Sequence, residues 1–147
     1  MTPLRLPAGK FRVKSTEKGR VIFDQIRKKF VHLTPEEWVR QHVVFFLLSR
    51  KRVPHSLINV EKQLVVAGTK KRYDIIVFNK DGSIYCLVEC KAPHIKIDQT
   101  VFDQIARYNL ALESEYLMVT NGMEHYFCTM DYEQQRYAFI EDLPEQV

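Results

Sequence analysis

The segment from Tyr73 to Lys91 constrains this chain more than any other. It reads Tyr73-Asp74-Ile75-Ile76-Val77-Phe78, a turn at Asn79-Lys80-Asp81-Gly82, then Ile84-Tyr85-Cys86-Leu87-Val88-Glu89-Cys90-Lys91. Two apolar, β-branched runs around an Asp-Gly dipeptide are the strongest short-range hairpin signal. With Asp81 and Gly82 as a two-residue loop, partner numbers across the hairpin add to 163. Asp74 and Glu89 satisfy that sum, so their Cβ atoms are expected about 5 Å apart on one face.

Facing carboxylates repel, and a sheet that keeps them needs a cation between them. Lys91 lies two residues beyond Glu89, on the same face of the strand. The hairpin therefore gathers two acids and an amine at the end of an apolar strand pair. A divalent metal on Asp74 and Glu89, with Lys91 beside it, is the arrangement that activates water against a phosphodiester. The alternative is a solvated Asp–Lys–Glu ion cluster, and a bulge that shifts the register would remove the pairing.

Length and composition bound the rest. At 147 residues, 46% hydrophobic and 27% charged, the chain reads as one globular domain. A net charge of +4 is a mild bias towards anionic partners. Basic residues cluster early, from Arg5 to Arg20 and again at Arg27-Lys28-Lys29 and Arg50-Lys51-Arg52; they suit either a solvated face or a phosphate-tracking surface. Cys86, Cys90 and Cys128 lack Cys-x-x-Cys spacing and read as reduced thiols in a cytoplasmic protein. The longest apolar stretch, Val43 to Leu48, is far too short to span a membrane, so no membrane role is expected.

Along the chain, residues 1–18 are polar and weakly patterned, the expectation being a flexible or loosely docked basic arm before a single domain over residues 19–147. Val21-Ile22-Phe23 suits a short edge strand. Thr34-Pro35-Glu36-Glu37 starts a helix, with Thr34 as N-cap and Pro35 in the first position. That helix is expected to reach Ser49 and bury Val39, Val43, Phe46 and Leu47. Strands follow at 58–67, 73–78 and 84–91, then a helix over 100–113 with Val101, Ile105, Leu112 and either Phe102 or Tyr108 inward. Strands at 116–120, 126–130 and 137–140 close the order. The third of the early strands is apolar on both faces, which places it at the sheet centre.

This order, with Asp74 and Glu89-Cys90-Lys91 on a hairpin between two helices, resembles the PD-(D/E)xK nuclease superfamily. Tyr73 stands where the name-giving proline would be. Gln104 and Tyr108 on the second helix resemble the Gln-x-x-x-Tyr motif of the RecB-like branch. Leu33 to Gln41, Val88 to Pro93, Arg107-Tyr108-Asn109 and Val119 to Gly122 look like the N-terminal domain of type I restriction enzyme R subunits. The resemblance runs from about residue 20 to the C-terminus.

It implies an α/β (α+β) restriction-endonuclease-like αβββαβ core, with a central mixed sheet flanked by helices. The implied activity is Mg²⁺-dependent endonucleolytic hydrolysis of DNA, with Mn²⁺ as a substitute. Asp74, Glu89 and Lys91 would be catalytic. Asp74, Glu89, the Cys90 carbonyl and Glu37 would form the metal set, with Glu36 as a substitute for Glu37. Thr34-x-x-Glu37 is equally a capping box, in which Glu37 would bond the N-cap amide. Gln104, Tyr108 and Arg72 would contact DNA or support catalysis; Arg72 lies opposite Lys91, tolerable where phosphate sits between them. Glu61, on the first strand of the sheet, is expected to be an exposed carboxylate.

Other chemistry finds little support. His32, His42, His55, His94 and His125 have no zinc-ligand spacing, and no Gly-x-x-x-x-Gly-Lys-Ser/Thr loop signals a nucleotide cofactor. The partners the resemblance implies are DNA, a separate targeting or motor subunit, and a second copy of the chain in a homodimer. The rival reading is a catalytically silent nucleic-acid-binding or assembly module that keeps the nuclease fold.

Overall fold

The computed structural model describes residues 1–146. Strands β1 (Val13–Thr16), β2 (Gly19–Asp24) and β3 (Lys29–His32) form a small antiparallel sheet. Helix α1 (Pro35–Ser49) leads to a six-stranded sheet of β4 (Ile58–Val66), β5 (Thr69–Phe78), β6 (Ile84–Cys90), β7 (Tyr116–Thr120), β8 (His125–Asp131) and β9 (Arg136–Ile140). Helix α2 (Gln99–Asn109) connects β6 to β7. Those two strands are parallel and all other neighbours antiparallel, so the sheet is mixed and needs a crossover at that point. The core order from α1 to β7 is the expected αβββαβ, with helices on both faces.

Helix α1 starts as its sequence dictates: Thr34 Oγ1 accepts the amide of Glu37 at 3.0 Å. Val39, Val43 and Leu47 are wholly buried, each contributing roughly 1.5–3 kcal/mol of apolar burial. They pack with Ile58, Ile75 and Val88 on one face of the sheet. On the other face Phe102 and Ala106 of α2 pack with Tyr73, Ile76, Leu87 and Leu117. Of the expected inward set, Phe102 is the aromatic that is buried, and Ile105 and Leu112 pack against this cluster. Val101, Ile105 and Leu112 are half-buried and Tyr108 is 43% exposed. The helix begins one residue early under an Asp98 cap, stops at Asn109, and continues only as a 3₁₀ turn. Strand β6 is third of six, with Tyr85, Cys86, Leu87 and Val88 all buried. The site strand is thus central.

The hairpin reaches its register by an unexpected route. Asn79 pairs with Ser83 through backbone, so Lys80, Asp81 and Gly82 form a three-residue loop with Gly82 at φ +90°. Phe78 then faces Ile84, and the register shifts by one between Val77 and Phe78. Beyond that bulge the pairs are Val77 with Cys86, Ile76 with Leu87, and Ile75 with Val88. The longer loop and the bulge compensate, and Asp74 still falls opposite Glu89.

Residues 1–18 are not a free arm in this structure. Trp38 Nε1 donates to the Thr2 carbonyl at 2.8 Å, Arg5 N to the Gly122 carbonyl at 2.8 Å, and Phe11 packs against Trp38 and His42. Leu4 and Leu6 lie against the core, and Val13–Thr16 is strand β1. Gly122, at φ +87°, leaves room for Leu4: a Cβ there would stand 2.8 Å from Leu4 Cδ2.

Candidate active site

Asp74, midway along β5, and Glu89, at the end of β6, meet beside α1. Asp74 Oδ2 accepts the amide of Cys90 at 2.8 Å, which ties the acid of one strand to the main chain of the next. Burial, then the adjacent Asp74, push the Glu89 carboxyl up to about 8, with Lys91 opposing. Glu36 is also raised, by burial and then Asp74, while Arg40 and Lys91 counter. Asp74, Glu89, Lys91 and Glu36 therefore share one electrostatic neighbourhood. The Lys91 ammonium is half-buried and forms no ion pair among the described residues.

Glu37 is placed differently. Its buried carboxylate accepts from Arg27 Nη2 at 2.8 Å, Arg40 Nη1 at 2.7 Å and Gln41 Nε2 at 3.1 Å. It is thus engaged by three donors, and its own amide, rather than its side chain, serves the cap. Of the two neighbouring glutamates, Glu36 is the one that senses Asp74, Glu89 and Lys91.

Two arginines organise the acids around this point. Arg40, with a side chain 5% exposed, binds Glu37, reaches Asp74 Oδ1 at 3.0 Å through Nη2, and lies 3.3 Å from Glu36 and 3.4 Å from Glu61. Burial disfavours its charge, yet Glu37 and Asp74 hold the guanidinium above its ordinary value. Arg27 bridges Asp24 at 2.6 Å, Glu37 at 2.8 Å and Glu61 at 3.1 Å. It sits on the β2–β3 turn, which Asp24 fixes by accepting the amides of Ile26 and Arg27. Glu61 is therefore an ion-paired residue, 34% exposed, at a strand position with φ +52°. Sequence reasoning missed Asp24, Arg27, Arg40 and Gln41. The signal available was Arg40-Gln41 inside the apolar stripe of α1, four residues after Glu36 and Glu37.

Six carboxylates (Asp24, Glu36, Glu37, Glu61, Asp74, Glu89) thus stand with three cations (Arg27, Arg40, Lys91). No group of three or more His, Cys, Asp or Glu side chains among the described residues forms a ready metal cage. Cys90 is buried and its thiol is pushed well up by burial and then Asp74, leaving its backbone as the polar group available here.

Clefts flank the acid pair. One of about 510 Å³ is bordered by Glu36, Arg40, Glu61 and Ala92. The other, about 320 Å³, is lined by Arg72, Glu89, Gln104, Ile105 and Tyr108. The expected Arg72, Gln104 and Tyr108 thus share a cleft with Glu89, and Lys71 Nζ lies 4.1 Å above the Tyr108 ring. Tyr73 is wholly buried beneath, its phenol raised to about 12 by burial, then Tyr108 and Glu89. A more enclosed cavity of about 390 Å³, between α1 and residues 9–12, contains none of the expected site residues.

The model of the type I restriction enzyme R protein N terminus matches residues 35–144. The chain belongs to that family. Its mixed six-stranded sheet between two helices is the α/β architecture expected from the hairpin and its flanking helices. The matched segment contains α1 and the whole six-stranded sheet; Asp24 and Arg27 lie outside it. Among solved structures, a candidate nuclease belonging to DUF820 from Anabaena variabilis ATCC 29413 is 13% identical, with a TM-score of 0.48 over 88% of this chain and 80% of that one. Curated proteins return no match. No helix of the described residues is long and apolar enough to cross a membrane.

Proposed function

We propose that this domain is a Mg²⁺-dependent DNA endonuclease of the PD-(D/E)xK type, related to the nuclease domain of type I restriction R subunits. The observation that carries the reading is Asp74 against Glu89 beside Lys91, with Glu89 pushed up to about 8 by burial and by Asp74. A strongly perturbed acid in a cleft with a charged partner is a mark of functional sites.

The donor set fits a hard divalent ion. Mg²⁺ takes oxygen ligands, keeps several waters, and is commonly held by one or two carboxylates. The six acids and three cations leave excess negative charge for it to offset. Asp74 and Glu89 would hold it with the Cys90 carbonyl; Glu36 is the helix carboxylate on this side, since Glu37 is engaged by Arg27, Arg40 and Gln41. Bound there, the ion would supply a water of lowered pKa and polarise a phosphoryl oxygen. Lys91 would orient the attacking water and offset charge on the phosphoryl oxygens. Arg72, Gln104 and Tyr108 hold the strand along the cleft. The reading includes a separate targeting or motor subunit and pairing of two copies to cut both strands. The three free, buried cysteines suit a cytoplasmic setting.

A second reading, the silent nucleic-acid-binding or assembly module, draws on Arg40. Its guanidinium sits on Asp74 Oδ1, so the acid pair already has a cation of its own. Plasmid nicking by purified protein in Mg²⁺ or Mn²⁺, with Lys91→Ala as control, separates the two. Cleavage lost in the variant supports the nuclease; clean protein that binds DNA without cutting supports the module.

A further inference from the structure

The hairpin joining β4 to β5 extends past the sheet. Strand β5 pairs with β6 only as far as Ile75, whereas β4 and β5 continue together through Lys62–Tyr73, Gln63–Arg72, Leu64–Lys71, Val65–Lys70 and Val66–Thr69. Five pairs at about 3.3 Å each make a two-stranded ribbon roughly 16 Å long. Ala67 and Gly68, at φ +51° and +79°, close it in a two-residue turn, and nothing approaches Gly68 within 4 Å.

Residues 62–72 contain Lys62, Lys70, Lys71 and Arg72 and no acid. Alternation separates the two faces of the ribbon. Leu64 and Lys71 face α2, where Leu64 packs on the core and Lys71 covers Tyr108. Gln63, Val65, Lys70 and Arg72 share the other face and are all exposed, Val65 by 69%. A ribbon with an uncovered isopropyl group and cations that form no ion pair among the described residues suits a partner that is anionic outside and apolar within. Nor does the ribbon float freely, since its root is braced on α2 and Arg72 lines the cleft that holds Glu89.

We propose that the β4–β5 ribbon seats in a groove of duplex DNA, with Lys70 and Arg72 on backbone phosphates and Gln63 and Val65 facing base edges. The major groove admits a two-stranded ribbon, and an amide and an aliphatic group suit adenine and the thymine methyl. At 3.4 Å per step along a strand, the ribbon covers about five base pairs. The place of the scissile phosphate rests on the nuclease reading; the contact with duplex does not, and it is measured without cleavage.

The test is duplex binding by fluorescence anisotropy in EDTA across a salt series, comparing wild type with Lys70→Ser/Arg72→Ser. Two lost phosphate contacts lower the salt slope by about 2 and weaken duplex binding about 30-fold at 0.15 M salt, since each contact contributes roughly five-fold there. Lys80→Ser, an exposed lysine in the β5–β6 turn, changes affinity less than about two-fold and checks for bulk charge. Unaltered slope and affinity in the double variant, with matching thermal melts, overturn the proposal. So does equal weakening on a single strand of the same length. If wild type binds with this dependence and never cuts, the nuclease reading fails and the ribbon stands. If wild type cuts while the double variant binds as tightly, only the ribbon assignment fails.

Discussion

Replacing Glu89 with Gln should stabilise the metal-free domain in a pH-dependent way. The Glu89 carboxyl goes from an ordinary 4.5 to about 8 on folding, through burial and the neighbouring Asp74. A raised carboxyl costs nothing below the unfolded value, where both states carry the proton. As pH rises from 4.5 towards 8 the unfolded chain ionises first, and stability falls until the folded acid also titrates. At ~1.4 kcal/mol for each tenfold change in proton affinity the ceiling is about 5 kcal/mol; water reaching this partly exposed group brings the expected value to roughly 2–4 kcal/mol. Glutamine keeps the shape, cannot ionise, and donates to Asp74 where the shared proton lay. Urea denaturation of wild type and Glu89→Gln in EDTA, at pH 5 and pH 8.5, reads the effect. The variant's advantage should be slight at pH 5 and near its full size at pH 8.5. A difference that is constant with pH would refute the strained acid pair, and with it the main support for a cation site.

Arg40→Met should destabilise the domain by about 3–5 kcal/mol in urea unfolding, because among the described residues Glu37 loses one of its two cations and Asp74 its one ion pair; a loss under 1 kcal/mol would show the pair to be solvated. Thr34→Ala should cost about 1 kcal/mol by removing the acceptor for the Glu37 amide, read by the same assay.

The sheet order and the central strand were legible because alternation, β-branching and turn residues act locally. The hairpin register was legible for an instructive reason. The expected loop was too short by one residue, and the bulge between Val77 and Phe78 restored the offset, because only that register buries Cys86 and Val88 against α1 while leaving Glu89 at Asp74. Burial of the strand over-determined what the turn alone would not. The docking of residues 1–18 was illegible, since it rests on Trp38, Gly122 and His125, far away in sequence. The arginine network was half legible. Helical spacing links Arg40 to Glu36 and Glu37, but the contacts with Asp74 and Arg27's reach from the β2–β3 turn are tertiary. The same applies to Glu37, whose sequence suits a cap and whose carboxylate is instead drawn inward by two guanidiniums.

The bond from the Cys90 amide to Asp74 has a consequence for how such a site tolerates change. The link between the two strands is supplied by peptide backbone, which every residue except proline provides. The middle position of the Glu-Cys-Lys triplet is therefore chemically anonymous: its side chain is limited in size by the packed core beside it, and its donor survives nearly any replacement. Mutational drift can pass through position 90 without moving the acid at 74, whereas at 74 itself only asparagine would keep an acceptor of the same reach for that amide.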